Sequence, residues 1–187
     1  AMFSFPLDDD AELRLLGPWH AEALFACVEE NREYLASRTF IADRVRDLTG
    51  ARRLLQEYTR QHVRDTGHYG GIWLNGHLVG AAMFRSFDPC MATAEVGAWL
   101  VPEAHGRRLA TQALRHLIDW AINQRGIQRV QLQSSPRNTH GRSLARRLGM
   151  TYEGTLRSAV MVNGVRHDSD VWAVLAHEWS APPTEEK

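Results

Sequence analysis

Lysine is all but missing from this chain. The only one is Lys187, so nearly every positive charge is an arginine, a bias that genome base composition explains as readily as function. Lysine plus arginine number 22, as do aspartate plus glutamate, leaving no net charge. Without an overall basic field, direct nucleic-acid binding is not expected. The two cysteines, Cys27 in an expected helix and Cys90 in an expected loop, make no disulfide framework, and a reducing cytoplasm is the simpler setting. No stretch nears the roughly 20 apolar residues that a membrane span requires, and the N-terminus carries no signal-peptide pattern. Nine histidines show no spacing such as His-x-x-x-His, so no metal site is expected.

What is present suits a single domain. The chain has 187 residues, of which 44% are hydrophobic, enough for a full core. No internal repeat or long linker divides it; the core is expected over about 11–179, with flexible termini and a frayed tail after Trp179. Ala11–Leu16 reads as a strand. Pro18 opens a helix with Leu24, Phe25, Val28 and Leu35 on one side, and a second helix runs from about Thr49 to Thr66. Tyr69–Leu74 and His77–Phe87 flank Asn75-Gly76, a hairpin signal, and Thr93–Val101 follows as the next strand. Then come a helix over Gly106–Arg125, a strand at Gln128–Ser134, a short helix from Asn138 to Leu148, and a closing hairpin, Tyr152–Val162 and Val165–Trp179, about Asn163-Gly164. The expected class is mixed α/β: a central sheet of about seven strands flanked by about four helices.

The segment Glu95–Leu114 carries the most information. An apolar strand stops at Pro102, a small-residue turn surrounds Gly106, and a long helix begins without an acidic first turn. Such a turn aims unpaired N–H groups and the positive end of the helix dipole at one place, which suits a phosphate or pyrophosphate. Arg107 and Arg108 add positive charge, so a nucleotide-type cofactor is expected there.

Several blocks, in order, resemble the GNAT acetyltransferase superfamily, and within it the RimJ/RimL-type ribosomal-protein N-acetyltransferases. They are Ala94–Leu100, Gly106–Thr111, Asn138-Thr139, Ala145–Met150, Glu153–Arg157, and Asn163-Gly164 with His167-Asp168. The resemblance implies acetyl-CoA as acyl donor and an amine as acceptor. It places Leu100 and Val101 against the pantetheine arm, the amides of Gly106, Arg107, Arg108, Leu109, Ala110 and Thr111 on the pyrophosphate, and Asn138 beside the thiol. Three departures stand out. The phosphate signature holds His105, Arg108 and Ala110 where the family has Gln or Arg, Gly, and Gly or Ala. A helical φ is expected at Arg108, its side chain pointing away from the phosphates or folding over them. Val160 and Gly141 stand where characterised ribosomal-protein-serine members have a carboxylate base and a serine acid.

Thioester aminolysis needs a base for the amine, a donor for the carbonyl oxygen and a partner for the departing thiolate. Backbone N–H near Leu100 can serve the oxygen. Glu95 is the first candidate for the base, sharing a strand face with Gly97 and Trp99; a structural or solvent-facing role is the competing reading. Asn138 can hydrogen-bond the thiolate without supplying a proton. Trp99 and Asp168 are candidates for the acceptor pocket, although Asp168, like Glu153, fits structural hydrogen bonding better. His167 carries an imidazole, the side-chain type suited to proton transfer near neutral pH. Arg137, Arg142, Arg146 and Arg147 read as a solvated face, with Arg142 in reach of a CoA phosphate. Tyr152, Trp73, Trp120 and Trp172 read as core.

The expected function is therefore acetyl transfer to a primary amine, in particular a protein N-terminus. The alternatives are a small amine such as an aminoacylated metabolite or antibiotic, and a non-catalytic acyl-CoA-binding module. The closing hairpin offers a surface for a homodimer.

Overall fold

The computed structural model describes residues 4–179, so the tail after Trp179 lies outside the described residues. Strands β1 (Ser4–Asp8), β2 (Ala11–Leu15), β3 (His68–Leu74), β4 (His77–Asp88), β5 (Thr93–Leu100), β6 (Arg129–Ser134), β7 (Thr151–Val162) and β8 (Val165–Leu175) form one sheet in the order β1-β2-β3-β4-β5-β6-β8-β7. Every pairing is antiparallel except β5 with β6. The helices are α1 (Ala21–Glu30), α2 (Arg32–Ala36), α3 (Ile41–Arg44), α4 (Leu48–Arg64), α5 (Leu109–Arg125) and α6 (Thr139–Arg147). The mixed α/β class is as expected, with eight strands and six α-helices among the described residues.

The additional strand is β1, whose single buried residue is Leu7 and whose centre is Pro6. It shows no alternation of apolar and polar residues, and its proline is tolerated because the strand lies at the sheet edge. The expected first helix divides at Asn31, which leaves helical geometry (φ −120°, ψ 19°) and donates its side-chain amide to Cys27 O at 2.9 Å. Arg32 then spans the next turn, donating to Ala42 O and Val45 O.

Both expected hairpins form. Asn75 and Gly76 take φ values of 50° and 77°, and Asn163 and Gly164 take 49° and 76°, the left-handed pairs that a two-residue hairpin uses. Successive side chains of β3 point to opposite faces. Tyr69 meets Tyr58 of α4 on one face, and His68 meets Trp120 of α5 on the other. The sheet is thus covered on both sides, with Leu13, Leu24, Leu55, Ile72, Phe84 and Leu114 fully buried between the layers. Trp73 and Trp172 are buried as expected, but Tyr152 is 49% exposed and shares a hydroxyl contact with Thr155 instead of entering the core.

One feature of this sheet positions the site. β5 pairs with β6 only over Thr93–Val96, yet it continues to Leu100 while β6 continues to Ser134. Beyond that point β5 stays with β4 and β6 with β8, so the two parallel strands part.

Candidate active site

A gap between parting strands leaves one strand edge unsatisfied. The Val101 N–H reaches back to Val79 O at 2.9 Å, on the β4 side. Main-chain groups alternate in direction along a strand, so those of Leu100 and Ala98 point into the gap. Of the two positions expected to meet a pantetheine arm, Leu100 offers its N–H, its carbonyl being engaged by the His105 ring. Val101 does not, because its donor is spent and its side chain is buried.

Two cavities converge on this gap. The narrower, about 320 Å³, runs along Ala98–Leu100 to the start of α5 and is bounded by Tyr34, Gly106, Arg108, Ala110 and Arg147. The larger, about 560 Å³, is framed by the loop after α2, Arg85 and Glu95 of the sheet, and the β7–β8 hairpin. They meet at Arg38, Thr39, Ala98 and Asn138, which line both. Among the described residues no group of three or more His, Cys, Asp or Glu could hold a metal ion.

At the narrow end, α5 starts without a capping side chain and without an acidic residue in its first turn. The amides of Leu109, Ala110 and Thr111 therefore lack intrahelical partners, at the positive end of the helix dipole. Gly106 reaches φ 88°, open to glycine alone at little cost. Arg108 also has positive φ (55°), contrary to the helical value expected. The turn itself requires the left-handed conformation, and the arginine bears strain of roughly 1–2 kcal/mol for it.

The charges at this turn are distributed differently from the sequence expectation. Arg107 points away from the groove and binds Asp8 (2.7 Å) and Asp10 of the β1–β2 hairpin. The hydrogen bonds from Arg107 hold both carboxyls below the usual carboxylate range. Leu109 is buried core, and the buried Thr111 uses its hydroxyl to accept from Arg147 Nε at 3.2 Å. Arg142 does not face the groove; it donates to Pro136 O at 2.7 Å and lies 3.9 Å from the buried Asp170. Arg147, read from sequence as part of a solvated face, lines the groove instead.

His105 closes the groove through its ring. Nε2 lies 3.2 Å from the Tyr34 hydroxyl, and the imidazole also hydrogen-bonds the main chain of Leu100. Desolvation, then the neighbouring His140, hold its pKa below the usual imidazole range, outweighing the Leu100 contact that raises it. The ring is neutral near pH 7, with hydrogen bonds directed to protein.

In the larger cavity Glu95 is half-buried and accepts from Gln131 Nε2 at 3.1 Å. Asn138 caps α6: its Oδ1 accepts from the Gly141 N–H at 3.0 Å, which leaves Nδ2 as the donor at the junction of the cavities. Asp168 lines the hairpin wall and accepts from the Ser158 N–H at 2.7 Å, bracing the irregular stretch of β7 between Leu156 and Val160. His167, directly opposite Val160 in the β7–β8 register, lines the same wall. Trp99 is buried, gives its indole N–H to the Tyr69 hydroxyl at 2.9 Å, and is not among the residues around this cavity. Burial pushes the Cys27 thiol up to about 12, with Glu30 and Glu103 adding to it, so this cysteine is no nucleophile.

Sequence reasoning missed Tyr34, Arg38 and Thr39, which stand far from the strand–turn–helix in sequence and carry no motif. It also missed Arg85, the extra residue of the β4 bulge between Phe84 and Ser86.

Known proteins resemble this chain in sequence and fold. Residues 11–151 match the family model described as an acetyltransferase (GNAT) domain. YdaF of Bacillus subtilis (strain 168), provisionally named a ribosomal N-acetyltransferase, is 28% identical over 95% of this chain and 98% of its own length. The solved structure of RimL, a ribosomal L7/L12 α-N-protein acetyltransferase in complex with coenzyme A, superposes with TM-score 0.85 at 24% identity, covering 92% of this chain and 97% of that one. The microcin C7 self-immunity acetyltransferase MccE, in complex with acetyl-CoA and AMP, superposes with TM-score 0.84 at 21% identity, over 90% of this chain and 94% of that one.

Proposed function

The chain belongs to the GNAT acetyltransferase family and is an acetyl-CoA-dependent N-acetyltransferase; from that premise we propose that its acceptor is the α-amine of a protein N-terminus. The observation that carries this reading is the meeting of the two cavities at Ala98 and Asn138. A donor lying in the groove and an amine entering the larger cavity come together at the parting of β5 and β6.

Bound acetyl-CoA supplies an activated acetyl thioester. The edge of β5, at Ala98 and the Leu100 N–H, hydrogen-bonds the pantetheine arm as an added strand would. First-turn amides of α5 and the Arg147 guanidinium hold the pyrophosphate. A main-chain N–H on that same edge polarises the thioester carbonyl, at no reorganisation cost because the strand is already fixed. Glu95 takes the ammonium proton, directly or through a water, so that the free amine forms its bond to the acetyl carbon. As the carbon–sulfur bond breaks, the nitrogen gives its second proton to solvent, Asn138 Nδ2 donates a hydrogen bond to the thiolate, and solvent protonates the sulfur, leaving an amide and a free thiol.

The provisional name of YdaF supports a protein acceptor. So does the hairpin wall, where Val160, Val162 and Val165 make an apolar strip along which the chain behind the α-amine can lie. The test is free-thiol release from acetyl-CoA with peptides beginning Ser or Ala, set against small amines. Turnover of the peptides with a free N-terminus, abolished when that terminus is blocked, is the expected result. Turnover of small amines alone would overturn the acceptor assignment.

A further inference from the structure

Resting on the reading of the larger cavity as the acceptor site, we propose that Arg85 holds an acidic group, a carboxylate or phosphate, carried next to the amine on the acceptor peptide. Arg85 owes its position to a bulge. Phe84 pairs with Val96 and Ser86 with Glu95, so Arg85 is the residue left over on β4 and has no partner across the ladder. A bulge re-aims the side chain it carries. Here the guanidinium lies across Gly97 of the neighbouring strand. A Cβ on Gly97 would come within 3.0 Å of Arg85 Nη2 and 3.1 Å of Cζ, and closer still to Nε. Only the missing side chain at Gly97 lets the guanidinium lie there, lining the cavity beside Glu95 and facing the ring of Phe40 at 5.9 Å.

Among the described residues the Arg85 guanidinium is in no ion pair and no side-chain hydrogen bond, whereas Arg107, Arg125, Arg129 and Arg142 each engage a carboxylate. A guanidinium offers five N–H donors in a planar fork that matches an oxyanion bidentately. The remaining charges agree. Arg38 and Arg137 also line the cavity, against the carboxylates of Glu95 and Asp168. Both carboxylates already accept hydrogen bonds, from Gln131 and from the Ser158 main chain. This surplus of arginine opposes entry of a cationic amine by itself. It favours an amine whose own molecule brings an anion, with Glu95 facing the ammonium and Arg85 the acid on adjoining strands.

The experiment compares short peptides that begin with serine and differ only at the second residue: aspartate, phosphoserine or asparagine. Wild type, Arg85→Ala and Arg85→Lys are assayed by thiol release at saturating acetyl-CoA, after thermal unfolding has shown the variants folded. Wild type is expected to favour one or both acidic peptides over the asparagine peptide at least tenfold in kcat/KM, mainly through KM. Arg85→Ala should bring that ratio to within about twofold, and Arg85→Lys should restore part of it. Equal, measurable rates on all three peptides in wild type, or a preference that survives Arg85→Ala, would overturn the subsite while leaving the N-terminal acceptor standing. No turnover of any peptide would overturn both.

Discussion

The Ser134 hydroxyl occupies the space that a side chain on Gly141 would need. A Cβ at Gly141 would lie against Ser134 Oγ, 3.0 Å from Ser134 Cβ and 3.0 Å from Asn138 Nδ2. The serine absent from the α6 position is thus matched by a hydroxyl arriving from the end of β6. Gly141→Ala should displace Ser134 or the start of α6, costing about 1–3 kcal/mol as overpacking. Pairing it with Ser134→Gly should recover most of that loss. A double-mutant cycle in thermal unfolding measures the coupling, and additive losses would mean that the two positions do not compete for space.

Glu95→Gln retains the shape of the side chain and its contact with Gln131 while removing the carboxylate proposed as the base. A fall in kcat of about 100-fold or more is expected, at unchanged KM for acetyl-CoA. A rate within a few-fold of wild type would remove Glu95 from proton transfer and direct attention to His167.

Arg147 and Arg107 differ in what their charges meet. Arg147 lines the groove proposed for acetyl-CoA, whereas Arg107 is neutralised by Asp8 and Asp10. Loss of a charge-assisted hydrogen bond should raise the acetyl-CoA KM about tenfold in Arg147→Ala. Arg107→Ala should change it less than Arg147→Ala does and should instead lower the melting temperature by unpinning the β1–β2 hairpin. Steady-state kinetics beside thermal unfolding separates the two.

Arg108→Gly relieves a left-handed residue at φ 55°. The gain of roughly 1–2 kcal/mol is partly offset by the looser unfolded chain, leaving a melting temperature about 2 °C higher. Titration calorimetry with coenzyme A would show at the same time whether the lost charge weakens binding.

His68 contributes to the response to mild acid. Its imidazole is buried, and burial, then the neighbouring His62, push its pKa down to about 4, against Asp65, which raises it. Between the unfolded value of about 6.5 and the folded value, the unfolded chain binds a proton that folded His68 does not. The His68 contribution to stability is therefore full above about pH 6.5 and is lost as pH drops through this window, by a total on the order of 3 kcal/mol. Urea unfolding followed from about pH 7 to about pH 4.5 reads the slope, and His68→Gln should flatten it.

Elements with a periodic pattern and a marked stop were legible from residues alone. Helix α5 shows its apolar stripe and ends at Gly126 with φ 71°. The hairpins announce themselves as Asn-Gly pairs, and Glu95 and Asn138 stand where their blocks suggested, at the cavities. Strand β1 was not legible, because an edge strand with one buried residue and a central proline has no pattern to read. The irregular course of β7 likewise depends on Asp168 reaching Ser158 across the hairpin.

The chain's local order therefore determined the fold class, the amide-rich turn before α5 and the family, since each is written in contiguous residues with a fixed period or spacing. Where each charge points was decided only by the assembled fold. Arg107 is turned aside by carboxylates 97 and 99 positions away, and Arg142 by Pro136 and Asp170. Arg85 gains its place from a bulge laid over a bare glycine, and Ser134 from an absent side chain on another element. A long polar side chain takes its direction from the nearest partner in space, and distance along the chain does not reveal which partner that is.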